Sequence, residues 1–248
     1  MDYSNTSNPV LKDNIFSIQD ASSESMTIEG VLRKSLIAFC LLLGGAVFAW
    51  TRSYASIGDI SGKIALFSIG AIALHFITIF NANIAKITVP LYAFLEGLIL
   101  GSVSWMAQRY YPGIVIQAVT GTLGVFMAML VVYRMGIIRP NEKFTMVLFV
   151  ATAGIGFIYL ANWLLSLLGF SGFSMLYGSS NIGIGFSVIV CIVAALNLLV
   201  DFEFIVRQSR TGAPQKLEWI ATLGLLVTVI WLYFEILRLL MKFSTRRE

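Results

Sequence analysis

The sequence predicts an all-α integral membrane protein of seven transmembrane helices, and three observations carry that prediction. Of its 248 residues, 58% are hydrophobic and only 12% are charged, where a soluble domain averages about 25% charged. Apolar runs of spanning length recur between turn signals, a span needing about 20 residues. Residues 144–200 contain no Asp, Glu, Lys or Arg at all. Alternation of period two is nowhere sustained, which argues against a barrel.

Each span has its own boundaries. The first runs from Val31 to Arg52, and Ser35 to Thr51 carries no formal charge. Ser56-Ile57-Gly58-Asp59 reads as a turn, and the second span follows from Lys63 to about Phe80. The third covers Thr88 to Gln108 and contains Glu96. Tyr111-Pro112-Gly113 is a turn signal, after which a fourth span continues to Tyr133, with a loop from Arg134 to Lys143 around Pro140. The charge-free stretch is too long for one helix. Its Gly- and Ser-rich break, Gly169 to Asn181, divides it into a fifth span (Thr145–Leu168) and a sixth (Ile182–Val206). Thr211-Gly212-Ala213-Pro214 breaks the chain again before the seventh, Leu217 to Met241.

The organisation expected is therefore a polar tail, residues 1–30, and a transmembrane domain, residues 31–248. The tail carries Asp2, Asp13, Asp20, Glu24 and Glu29 without a basic-then-apolar start. It reads as mobile, alone or with a short surface helix, and not as a signal peptide. The loops after the second, fourth and sixth spans hold Lys86, Arg134, Arg139, Lys143, Arg207, Arg210 and Lys216. The opposite loops hold only Arg52, Lys63 and Arg109. The positive-inside rule then places the N-terminus in the cytoplasm of a cell-membrane protein, although Lys242, Arg246 and Arg247 pull the other way. The net charge of +4 is scattered between apolar blocks. It forms no stripe for nucleic acid and faces the lipid bilayer.

Small residues suggest how the helices pack. Gln117, Gly121, Gly124 and Ala128 line one face of the fourth helix, and Gly97 and Gly101 one face of the third. Such faces allow close approach.

Ionisable groups at membrane depth are costly and mark functional candidates. His75, the single histidine, has no metal-like partner on its helix and reads as packed or interfacial. Cys40 and Cys191 read as small apolar filler. Glu235, three residues before Arg238, reads first as half of a local ion pair. At about 1.5 Å per residue, Asp201 lies about 9 Å and Glu96 about 12 Å from the same edge, with Glu235 about 27 Å away from it. Matched depth makes Glu96 and Asp201 a candidate cation site or shared-proton pair. Alternatively each caps a loop or meets a nearby Lys or Arg. HExxH, CxxC, GxSxG, Walker and Rossmann patterns are absent, so neither an enzyme nor a resident cofactor is expected.

The residues also carry a resemblance. Asn197 to Arg207 (NLLVDFEFIVR), Glu218 to Leu223 (EWIATL), Ile236 to Leu240 (ILRLL), Phe94 to Gly101 (FLEGLILG) and Ile116-Gln117-Ala118 resemble, in that order, the Bax inhibitor-1 family. That family is also called the transmembrane Bax-inhibitor-motif or YccA-like family. Ser7-Asn8-Pro9-Val10-Leu11 is similar to its bacterial branch. The resemblance implies a seventh helix enclosed by the other six. It also implies a pH-sensitive calcium leak controlled by two aspartates on the last two helices. Asp201 matches the first, whereas the second falls at Thr228, so that paired sensor is not intact. Glu235 lies about 10 Å further along the same face, which leaves Glu96 as the expected partner of Asp201. The function expected is a calcium leak with carboxylates on its path. The alternative is a non-transporting regulator of a membrane protease or stress-response partner.

Overall fold

The structure is a computed structural model that describes residues 24–52, 57–169 and 178–246. The predicted tail before residue 24 and most of the predicted fifth-to-sixth break lie outside the described residues. Among the described residues seven α-helices follow in order: α1 (Ile28–Thr51), α2 (Ile57–Phe80), α3 (Ala85–Tyr110), α4 (Ile114–Arg134), α5 (Glu142–Leu167), α6 (Asn181–Arg210) and α7 (Leu217–Thr245). A 3₁₀ turn, Ala82–Ile84, joins α2 to α3. All seven are long and apolar enough to cross a membrane.

Polar residues set several starts. Thr27 accepts from the Gly30 N–H (2.9 Å), Asn141 from Phe144 (2.8 Å) and Ser180 from Gly183 (3.1 Å). Each side chain thereby satisfies a backbone donor that the first turn leaves unpaired. Between α3 and α4, Gly113 at φ 85° makes the turn that the Tyr111-Pro112-Gly113 signal predicts. The helices overrun the apolar stretches that announce them: α1 begins three residues before Val31 and α7 continues to Thr245, past Met241. An apolar run measures the thickness of the hydrocarbon layer, while the helix continues into the polar interface.

Cross-contacts fix which loops share an end of the bundle. Lys216 Nζ donates to Asn83 Oδ1 (3.2 Å), and Tyr133 Oη donates to Glu203 Oε2 (2.9 Å). The loops after α2, α4 and α6 are thereby drawn to one end. At the other end Tyr111 Oη lies 2.6 Å from Thr245 Oγ1. α7 is walled by α1, α3, α4 and α6. The predicted enclosure by six helices is thus four-sided in its main contacts: α2 packs chiefly on α3, and α5 on α6. α2 and α5 turn large side chains such as Leu66, Ile69, Phe149 and Phe157 outward, where lipid takes the place of a protein neighbour.

α1 and α3 pack most closely. A Cβ on Gly97 would overlap the Leu42 carbonyl, one on Gly101 the Ala46 carbonyl, and one on Gly45 the Phe94 carbonyl. The α3 small-residue face is therefore a true close approach. The predicted counterpart on α4 is not: Gly124 faces open space and Gly121 makes only ordinary contact with Ile236. Phe126 stacks edge-on against Phe202 at 5.7 Å, and with Val125 and Met129 it fills the space to α6 and α7. Gly124 and Ala128 lie on the exposed side of α4, turned away from that packing.

Candidate functional site

α7 carries polar groups along its length, and each meets a partner from another part of the bundle. At the α6–α7 loop end Glu218, 1% exposed, receives Lys34 Nζ (2.5 Å) and the Thr27 N–H (2.9 Å). One turn on, Thr222 and Ser35 share a hydrogen bond of 3.3 Å. Tyr233 meets Ser104 of α3 at 2.6 Å. Nearest the far end, Lys242 donates to the Gly183 carbonyl (2.9 Å) and Ser187 Oγ (2.8 Å) of α6. From Glu218 to Lys242 this polar file spans about 36 Å at the helical rise. A helix in lipid could not present these groups outward, because each would lack a partner. They make α7 a central helix.

Asp201 sits on α6 where α6 meets the middle of α7. Its carboxyl lies within hydrogen-bonding reach of Thr228. The Thr228 hydroxyl also bonds the Gly224 carbonyl at 3.2 Å. Gly224 opposes Asp201 with no side chain between them: a Cβ there would stand 3.8 Å from Oδ1. Asp201 Oδ2 is buried without a hydrogen-bond partner. One turn earlier on α6, Asn197 donates to Thr152 of α5 (3.0 Å) and to the Val193 carbonyl (2.9 Å), anchoring the helix that presents Asp201.

Glu96 stands elsewhere. Its partner is Tyr92, one turn back on α3, and α7 lies between α3 and α6. The structure therefore does not bring Glu96 and Asp201 together. Equal depth places two groups on one level of the membrane but leaves open which side of the bundle each occupies. The pairing expected from depth is replaced by Asp201 with Thr228. Among the described residues no group of three or more His, Cys, Asp or Glu could hold a metal ion. A cation at Asp201 would therefore have one carboxylate, hydroxyls and carbonyls as protein ligands.

The local pair at Glu235 forms: Arg238 Nη1 lies 3.4 Å from Oε1. Its setting is more enclosed than sequence spacing suggests. Glu235 is 1% exposed, accepts from Tyr159 Oη of α5 at 2.9 Å, and keeps Oε2 buried without a partner. Arg238 lies over the Tyr159 ring at 4.8 Å. His75 packs beside Tyr92 and Phe76, at ring distances of 5.8 and 6.0 Å. Cys40 and Cys191 are free thiols. Sequence reasoning missed Glu218, Lys34 and Tyr159. The first two sit at helix starts, where charge is ordinary, and a tyrosine's partner cannot be read from one helix. A signal did exist for Glu218, since an acid so close to the apolar run of α7 needs an explanation.

A seven-helix bundle with lipid-facing outer helices and a polar central one defines a polytopic membrane protein. The profile of the family described as Bax inhibitor 1 like matches residues 8–245, nearly the whole chain. The protein belongs to that family, as its sequence resemblance led us to expect. A search of curated proteins returns no match.

Proposed function

We propose that the protein is a slow, pH-sensitive leak for cations, calcium above all, with Asp201 as the acid that controls the path. One observation carries this reading. Asp201 Oδ2 is shut away from water with no donor, and a carboxylate oxygen in that position is relieved by a proton or by a cation. The same atom can therefore register pH and attract a cation. Thr228 and the exposed backbone at Gly224 add oxygen ligands of the hard type that calcium takes. The family's second aspartate is replaced by Thr228, so ionisation of Asp201 meets a hydroxyl there and not a second negative charge. On this reading the protein is not an enzyme, needs no cofactor, and sits in the cell membrane with its N-terminus in the cytoplasm.

Calcium entry into dye-loaded proteoliposomes, followed between pH 5 and 8, tests the proposal. Wild type should show entry that depends on pH, and Asp201→Asn should show a flattened dependence. Protein that reconstitutes in folded form yet passes no cation at any pH would replace this reading by the non-transporting regulator of a membrane protease or stress-response partner.

A further inference from the structure

The four residues before α1 lie across the junction of α6 and α7. Ser25 pairs with Pro214 as an isolated antiparallel bridge. The Met26 N–H donates to the Ala213 carbonyl (2.7 Å), the Gln215 N–H to the Glu24 carbonyl (2.9 Å), and Gln215 Nε2 to Glu24 Oε2 (2.7 Å). Thr27 caps α1 directly after Met26, so the pairing stays short. It is a short, separately releasable contact. Met26 is its apolar foot, 1% exposed and packed with Val31, Ile205, Ala213 and Ala221. Ile205 lies one turn beyond Asp201 on α6, and Ala221 lies three residues before Gly224 on α7. Met26 therefore closes the α6–α7 seam about 6 Å from the level of Asp201. A cavity of about 550 Å³ lined by Glu24, Glu29, Arg33, Gln215 and Glu218 adjoins the same segment.

A second set of contacts holds the segment down. Glu218 Oε1 accepts from the Thr27 N–H (2.9 Å) and hydroxyl (3.2 Å), while Oε2 pairs with Lys34. Gly30 lets α1 come this near, since a Cβ there would collide with the Glu218 carboxylate.

We propose that residues 24–27 are a strap that shuts the α6–α7 seam over Asp201, with Met26 as the plug and Glu218 as the latch. The inference rests on the reading of Asp201 as the acid on the cation path, and it supplies the gate of that path. With the strap down, Met26 fills the loop end of the seam between Ile205 of α6 and Ala221 of α7. With it lifted, the seam opens from the loop end.

Two measurements test the strap, both with Cys40→Ser and Cys191→Ser as background. In the first, Asp201→Cys in detergent micelles is labelled with a water-soluble thiosulfonate, which reads access without any flux. Met26→Ala empties the plug, and Gly30→Ala displaces the latch while leaving Met26 in place. Removing a buried Met side chain weakens packing enough for the labelling rate to rise about tenfold or more, and Gly30→Ala should raise it in the same direction. In the second, Ser25→Cys with Pro214→Cys is oxidised. Residues bridged in this way have Cα atoms within disulfide range. Calcium entry into proteoliposomes should fall to the protein-free background and return on reduction. Unchanged labelling in both folded Ala variants overturns the gate, as does undiminished entry in the oxidised pair. Faster labelling with no calcium entry in any form keeps the gate and removes the cation-leak reading.

Discussion

Asp201 and Glu235 each bury one carboxylate oxygen without a partner, yet their surroundings give them different work. Asp201 faces a hydroxyl and a glycine backbone, and among the described residues no Lys or Arg contact neutralises it. Glu235 is held by Tyr159 and by the Arg238 cation. Asp201→Asn should therefore flatten the pH response of calcium entry, because the amide cannot titrate. Glu235→Gln should leave entry within a few-fold of wild type but lower stability by about 1–3 kcal/mol, the usual cost of weakening a buried charge-assisted hydrogen bond. Thermal unfolding in detergent checks the stability change. A complete loss of entry from folded Glu235→Gln would show that the controlling acid had been misplaced. Glu96→Gln should leave the pH response as in wild type, since Tyr92 and not Asp201 is its neighbour. Were Glu96→Gln to flatten the response as fully as Asp201→Asn, the two acids would be coupled through α7 despite their separation.

At the scale of elements, α1 and α3 form the tightest unit, and it rests on three glycines. Gly45, Gly97 and Gly101 each bring a backbone against a carbonyl of the other helix. Gly97→Val has no flexible neighbour that can yield, so the helices must separate. Overpacking of this kind costs about 1–3 kcal/mol or more, and the yield of monodisperse detergent-extracted protein should fall sharply. Gly124→Ala on α4 is the control: it faces open space, and the yield should stay at the wild-type level. Equal behaviour of the two variants would contradict the α1–α3 contact. The contrast also shows how far a glycine pattern reaches. Spacing picked out both faces, but only the α3 face meets a partner closely, because Gly124 and Ala128 lie on the exposed side of α4.

On the scale of the whole molecule, an odd number of spans places Ser25 beside the α6–α7 loop and Thr245 beside the α3–α4 turn. Ser25 and Thr245 therefore lie at opposite ends of the bundle. A reporter fused at Met1 should be cytoplasmic, and one fused after Glu248 should be outside, read by a phosphatase active only beyond the membrane. Both reporters on the same side would remove the seven-span arrangement. The direction itself follows from loop charge. The four-sided wall around α7 explains why that helix holds the polar file: α1, α3, α4 and α6 all pack against it.

The sequence by itself determined the class, the number of spans and the resemblance that the family match bears out. Those rest on apolar length and turn residues, which act locally and are written along the chain. It also marked Asp201, because an acid in an apolar run stands out whatever surrounds it. Only the tertiary structure decided the partners. Depth along a helix axis can be counted from residue numbers, but position around the bundle cannot, so Glu96 and Asp201 looked like a pair until α7 was found between them. The Glu218 latch joins residues 191 positions apart in the chain. No local pattern encodes such a contact: it exists because α1 and α7 bring their first turns together, and because Gly30 leaves room for the carboxylate.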